Sequence, residues 1–273
     1  MDLDPFNVRR GVGLVTNARR GLLPLPLVDR PGPIPAGVLP PFAEREPLGE
    51  LAVAASAGGG AGAALIGVAR VFEEAATRPV AVAACSASVL WAVMWAGGMS
   101  SDEMLEDSLG WRPEGALGVQ WIGLPRLALS AARGFSGLAR AAALEQLLPR
   151  QVWRMSAGET DFPLHVLARD LDSGRLERLG TETTPELTLG ELARVAVTPP
   201  RRGEAVRIEG RFLVDAADPE GVRGMVAGDA LVEPPRGGGF YDLFLDRRGW
   251  PEHIRAGYDA TRRRRPASPS RAS

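Results

Sequence analysis

The chain opens on sequence broken up by proline and becomes periodic only from Leu48 onward. Leu51-Ala52-Val53-Ala54-Ala55 is a short unbroken apolar run, the pattern of a strand covered on both faces. Gly58-Gly59-Gly60 follows. From Ala61 to Glu74, the large apolar residues Leu65, Val68, Val71 and Phe72 share one helical stripe. Pro79 closes that unit. Val80 to Ala84 predicts a second strand, Cys85 to Ser88 a sharp turn of small residues, and the sequence through Trp95 a helix. Strand, glycine turn, helix, strand, sharp turn, helix is a parallel α/β signature. The run from Val80 to Met99 also reaches about the 20 residues of a membrane span. Its change from β-like to helix-like character predicts two short buried elements instead.

Residues 101–150 are mostly helical in pattern, with an amphipathic stretch from Leu124 to Leu148. Trp111, Trp121 and Phe135 there fit either a cap over the core or an apolar lid that admits acyl chains, since tryptophan favours membrane interfaces. Leu164 to Leu171 predicts a strand, Arg175 to Leu179 its hairpin partner, and Leu187 to Val197 a helix. Arg211 to Asp215 predicts a strand ending in a carboxylate. Phe240 to Leu245 predicts a last strand, before a helix around Glu252 to Tyr258. Three regions follow: a Pro/Arg-rich N-terminal arm over 1–48, an α/β domain over 49–260, and a disordered basic tail over 261–273. For the tail, two readings stay open: solubility, or contact with an anionic membrane surface.

Composition narrows the chemistry. The chain has 273 residues, 45% hydrophobic and 24% charged, which suits a globular fold. Its 32 basic and 33 acidic residues give a net charge of −1, which excludes a globally basic nucleic-acid binder. Every cation is arginine, so Schiff-base chemistry, a P-loop lysine and a Ser-Lys dyad are all excluded. The lone Cys85 forms no internal disulfide, and two histidines, His165 and His253, make no multi-histidine metal site. The start, Met1-Asp2-Leu3-Asp4-Pro5, lacks the pattern of a signal peptide. A cytoplasmic location and no cofactor are the expectations.

Three short segments carry candidate chemistry. Backbone N–H groups at a glycine-rich helix start stabilise an anion, either a phosphate or an oxyanion. Gly58, Gly60 and Ala63 also fit a dinucleotide spacing, but the next strand ends without the carboxylate that would hold a ribose. A purely structural turn is the third reading. In Ala84-Cys85-Ser86-Ala87-Ser88, a serine stands between an apolar strand and a helix among small residues, the form of a nucleophile elbow. A small-residue helix start is the plain alternative. Asp215 ends a later strand, where a carboxylate either takes a serine proton, directly or through a histidine, or is an ordinary strand-end or turn aspartate. The order Ser86, Asp215, His253 also matches an α/β-hydrolase triad. However, His253 falls in a predicted terminal surface helix and His165 lies mid-strand. Cys85 is expected to pack, with its side chain turned away from the Ser86 hydroxyl.

Taken in order, these segments resemble the patatin-like phospholipase family. Its GGGxRG motif aligns with Ala57-Gly58-Gly59-Gly60-Ala61-Gly62, its GxSxG motif with the Ser86 turn, and its DGG or DGA motif with Asp215-Ala216-Ala217. The segment Phe162 to Gly174 resembles the family's intervening strand and hairpin, and the resemblance covers roughly residues 50 to 220. Ala61 stands where the family has arginine, alanine and serine replace both elbow glycines, and alanine follows Asp215 twice. The resemblance implies a three-layer α/β/α fold with a mainly parallel central sheet. It implies a serine lipid acyl hydrolase, acting on phospholipid or other acyl esters, with peripheral membrane contact. Ser86 would be the nucleophile, Asp215 the general base, and the N–H groups near Gly58, Gly59 and Gly60 the oxyanion hole. A catalytically silent lipid- or partner-binding relative on the same scaffold is the alternative from a different class.

Overall fold

The computed structural model describes residues 37–39, 41, 48–56, 59–111, 118–119, 139–140, 147–198, 205–226, 231–233 and 249–264. By contact density the chain divides into residues 1–34 and 35–273, and the first unit lies outside the described residues. So do most of the N-terminal arm and the strand expected over Phe240–Leu245.

The parallel half is built where the apolar runs predicted it. Strand β1 (Ala52–Ala55) leads through a 3₁₀ turn (Gly59–Ala63) into helix α1 (Ala64–Glu74). Strand β2 (Val82–Ala84) leads through Ser86 into α2 (Ser88–Ala96), and α3 (Ser101–Gly110) follows. Every residue of α2 is buried, so the middle of the apolar stretch from Val80 to Met99 goes into the core, while Val80 itself is exposed. No helix among the described residues is long and apolar enough to cross a membrane.

Region 112–146 lies largely outside the described residues. Its two described pairs, β3 (Gly118–Val119) and β4 (Ala139–Arg140), form an antiparallel ladder, whereas the periodicity predicts a helix across the second. Trp111 is a core residue and not part of an exposed lid: its ring lies 5.1 Å from Trp91 and 6.3 Å from Trp250.

Helix α4 (Arg150–Arg154) leads to the antiparallel pair β5 (Leu164–Asp170) and β6 (Leu176–Gly180). Then come α5 (Leu189–Ala196), the hairpin β7 (Val206–Ile208) and β8 (Arg211–Asp215), α6 (Pro219–Met225), β9 (Leu231–Val232) and α7 (Trp250–Arg262). Strands β7 and β9 have no counterpart in the sequence reading, because both are short and neither alternates clearly. Helix α7 runs to Arg262, with Thr261 buried, beyond the start drawn for the tail.

The sheet order is β7-β8-β5-β2-β1-β9, with β6 also on β5. Strands β9, β1, β2 and β5 are mutually parallel; β6, β7 and β8 pair antiparallel. Strand β5 pairs with β2 through Leu164–Val166 and with β8 through Ala168–Asp170, while β6 occupies one edge along His165–Arg169. A strand has two edges, so β2 and β8 must share the other. They run toward each other along it. Their last residues, Ala84 and Asp215, face Val166 and Ala168, two positions apart.

Helix α6 covers one face of the sheet, where Val222, Met225 and Val226 meet Ala52, Ala54, Ala83, Cys85, Leu167 and Ala216. Helices α1, α2, α5 and α7 add nothing to that cluster and pack on the other side. There, a Cβ on Gly67 would lie 1.9 Å from the Ile254 carbonyl oxygen, and one on Gly257 would lie 2.1 Å from that of Ala64. Two glycines thus let α1 and α7 cross backbone to backbone.

Candidate active site

The meeting of β2 and β8 defines the site. Ser86 follows the end of β2 by two residues, and Asp215 ends β8, so the head-to-head arrangement brings together side chains 129 positions apart. The Ser86 hydroxyl donates to Asp215 Oδ2 at 2.6 Å. The Ser86 N–H donates to Asp215 Oδ1 at 3.0 Å, and the Ala217 N–H donates to the same oxygen at 3.1 Å. One carboxylate therefore grips both the backbone and the side chain of the serine.

The Ser86 backbone is strained. Its φ of 55° is left-handed, a region non-glycine residues rarely occupy, and strain of this kind concentrates at functional sites. Ser86 is half-buried, while Ala84, Ala87 and Ser88 around it in the chain are fully buried. Small neighbours are required, since a Cβ on Gly62 would lie 3.2 Å from Ser88 Cα and 2.5 Å from the Trp91 ring. The 3₁₀ turn that carries Gly59 and Gly60 thus packs directly on the first turn of α2. Gly58 lies outside the described residues.

Burial sets the electrostatics. Asp215 is 5% exposed, and desolvation raises its pKa above the ordinary carboxylate value. The bonds from the Ser86 hydroxyl and from the two N–H groups oppose that rise without cancelling it. Such a carboxylate is a stronger proton acceptor than an exposed one.

Cys85 departs from the expectation. Its Sγ lies 3.8 Å from Ser86 Oγ, so the side chain does not turn away from the hydroxyl. The turn at Ser86 bends the chain back, which brings consecutive side chains close where a straight strand would separate them. Burial, and then the Asp215 charge, push the thiol up to about 12, so it stays neutral.

Both histidines stand apart from this pair. The His165 ring meets the Arg178 guanidinium at 2.8 Å, and burial together with that positive charge lowers its pKa. The His253 ring folds back on Gly249 at the start of its own helix; a Cβ there would lie 3.4 Å from Nε2. The carboxylate oxygens of Asp215 are bonded to Ser86 and Ala217.

The sequence reading missed Ala217. Its N–H orients the carboxylate, and its φ of 49° is left-handed like that of Ser86. The signal was available, because a short residue two places after a strand-end aspartate suits such a turn.

No family model matches the sequence, and no curated protein sequence matches it. Among solved structures, VipD from Legionella pneumophila superposes with a TM-score of 0.51 at 10% identity, over 79% of this chain and 66% of that one. The fold is patatin-like. The type III effector ExoU gives a TM-score of 0.43 at 14% identity, over 81% of this chain and 54% of its own. ExoU in complex with SpcU, from Pseudomonas aeruginosa, gives 0.44 at 16%, over 82% and 54%. The chain thus spans about two thirds of VipD and about half of ExoU. Beside the patatin-like scaffold, the glycine turn, the Ser86 turn and Asp215 fall in the order of the three motifs noted above.

Proposed function

We propose that this chain is a serine lipid acyl hydrolase that works through a Ser86-Asp215 dyad. The observation that carries the reading is the 2.6 Å bond from a strained, half-buried hydroxyl to a buried carboxylate of raised pKa. In the proposed cycle, Asp215 takes the Ser86 proton as Oγ attacks the ester carbonyl. N–H groups near Gly58, Gly59 and Gly60 hold the oxyanion, where each such donor is worth about 3 kcal/mol of barrier. The proton passes to the leaving alcohol oxygen, and a water activated by Asp215 then cleaves the acyl-serine. The direct contact favours a dyad over a triad, since His253 shares no hydrogen bond with either residue. Residues 49–260 form the catalytic unit in this reading.

Hydrolysis of a soluble short-chain ester tests the proposal. Ser86→Ala should abolish turnover, while His253→Ala should leave it within about twofold. A folded wild-type protein without esterase activity, or equal loss in both variants, contradicts it.

A further inference from the structure

The ribbon formed by β6, β5, β8 and β7 does not end where the parallel strands end. Strand β5 continues four residues beyond its last pair with β2, from Leu167 to Asp170, and β8 runs beside it. Phe212 lies three residues from Asp215 along β8, on the order of 10 Å at strand rise. The tip therefore rises beyond Ser86 at the same end of the sheet.

Register sorts its side chains into two faces. Arg169 faces Leu176 and Val214; Phe212 faces Arg207; the Leu171 N–H donates to the Phe212 carbonyl. One face thus carries Leu171, Leu176 and Phe212, which are 37%, 41% and 43% exposed, together with Arg169, Arg178 and Arg207. No strand residue on that face is acidic. The carboxylates Asp170, Glu177 and Asp215 all fall on the opposite face, where Arg211 pairs with Glu177 at 3.1 Å. Helix α6 covers the first face only as far as Leu167; a Cβ on Gly221 would lie 2.6 Å from its Cδ2. Beyond that point the apolar residues stay open.

Charged groups around the rim do not cancel the asymmetry. Glu182 is held by Arg178 at 2.8 Å, and Glu209 by Arg211 at 3.0 Å. Arg207 is exposed and enters no hydrogen bond or ion pair among the described residues. Asp172, in the β5–β6 turn, is the acidic residue left at the margin. Apolar side chains interleaved with arginines on one exposed face match the two layers of an anionic membrane surface, acyl region and headgroup.

We infer that this face is an interfacial docking ridge: Leu171, Leu176 and Phe212 enter the outer acyl region of an anionic bilayer while Arg207 and Arg169 meet lipid phosphates. The ridge deepens the hydrolase reading, because it sets the Ser86 end of the sheet toward the lipid. The docking itself does not depend on turnover.

The test uses the full chain carrying Ser86→Ala, so that the lipid stays intact, with vesicles of phosphatidylcholine alone or mixed with phosphatidylserine. Cosedimentation should favour the mixed vesicles. Adding Leu176→Ser with Phe212→Ser should lower binding on the order of tenfold, and Arg207→Glu should remove the preference for anionic lipid. Near-UV circular dichroism verifies the fold of each variant. As a second reading that removes no apolar group, Phe212→Trp should blue-shift tryptophan emission on mixed vesicles relative to its parent. Binding indifferent to Phe212 and lipid charge, no emission change, or self-association through Phe212 in place of lipid binding overturns the inference. In a Ser86 background, Leu176→Ser with Phe212→Ser should leave soluble-ester turnover unchanged. If no form turns over ester while docking still depends on Phe212, the ridge stands and the hydrolase reading falls.

Discussion

Helices α1 and α2, which start at the candidate site, begin differently from α3 and α5, although α4 and α7 also start without a side-chain cap, on Pro149 and Gly249. Away from it, α3 opens on Ser100 with the Glu103 side chain bonded back, and α5 opens on Thr188 with Glu191 bonded back. Asp218 caps α6. In each, a side chain satisfies N–H groups that a helix start leaves unpaired. At the site, α1 and α2 open on Ala63 and Ala87, and no side chain caps either. In α2 the Val89 and Leu90 N–H groups donate instead to the Ser86 and Ala87 carbonyls, at 3.2 and 3.1 Å, and α1 continues directly from the 3₁₀ turn before it. The capped starts of α3 and α5 add stability. The site starts forgo caps, hold Ser86 in a left-handed conformation and bury a carboxylate, and each of these costs stability. Within the proposed function, that is the expected mark of a preorganised active site.

The contrast is most sharply broken at Asp215. Asp215→Asn should lower kcat/KM roughly ten-thousandfold, because the base and the bond it accepts from the Ser86 hydroxyl are lost while the N–H bonds from Ser86 and Ala217 can be kept. Its melting temperature at pH 7 should match or exceed that of wild type. The sign follows from the raised pKa: the folded state favours the protonated acid, so the group's stabilising share is present at low pH and fades as pH rises through the folded pKa. Activity runs the other way. The acidic limb of the kcat/KM profile should lie above the range of an exposed aspartate, as a pH-rate series will show.

The next effect lies in the scaffold. Gly257→Leu should cost about 3 kcal/mol or more, measured by urea unfolding, since its side chain would meet the Ala64 backbone at the α1–α7 crossing. Smaller still are the strained turns. Ser86→Gly should be about 1 kcal/mol more stable than Ser86→Ala, with both inactive, because glycine tolerates positive φ. Ala217→Gly should give a similar gain and keep activity. The smallest effect is expected at a peripheral cap, where Thr188→Ala should lose about 1 kcal/mol and leave turnover unchanged.

Legibility in the sequence followed the length of the periodic signal. Helix α1, the β5–β6 hairpin and the strand ending in Asp215 were readable because apolar spacing persisted over several residues. The patatin-like fold followed from three short motifs in order, and the candidate pair Ser86 and Asp215 was proposed from the same motifs. What one sequence does not carry is the geometry between distant segments. That β2 and β8 share one edge of β5 is a topological fact, and it places Ser86 against Asp215. Cys85 was misjudged for a local reason: strand alternation was carried one residue past the strand end, into a turn that reverses it. Short strands such as β7 and β9 lie below what a period of two can reveal.

The most direct measurement is intact-protein and peptide mass spectrometry after incubation with a fluorophosphonate ester. The account predicts a single adduct, on the Ser86 peptide, absent in Ser86→Ala and greatly slowed in Asp215→Asn. A folded wild-type chain that takes no adduct, or takes it on another residue, would contradict it.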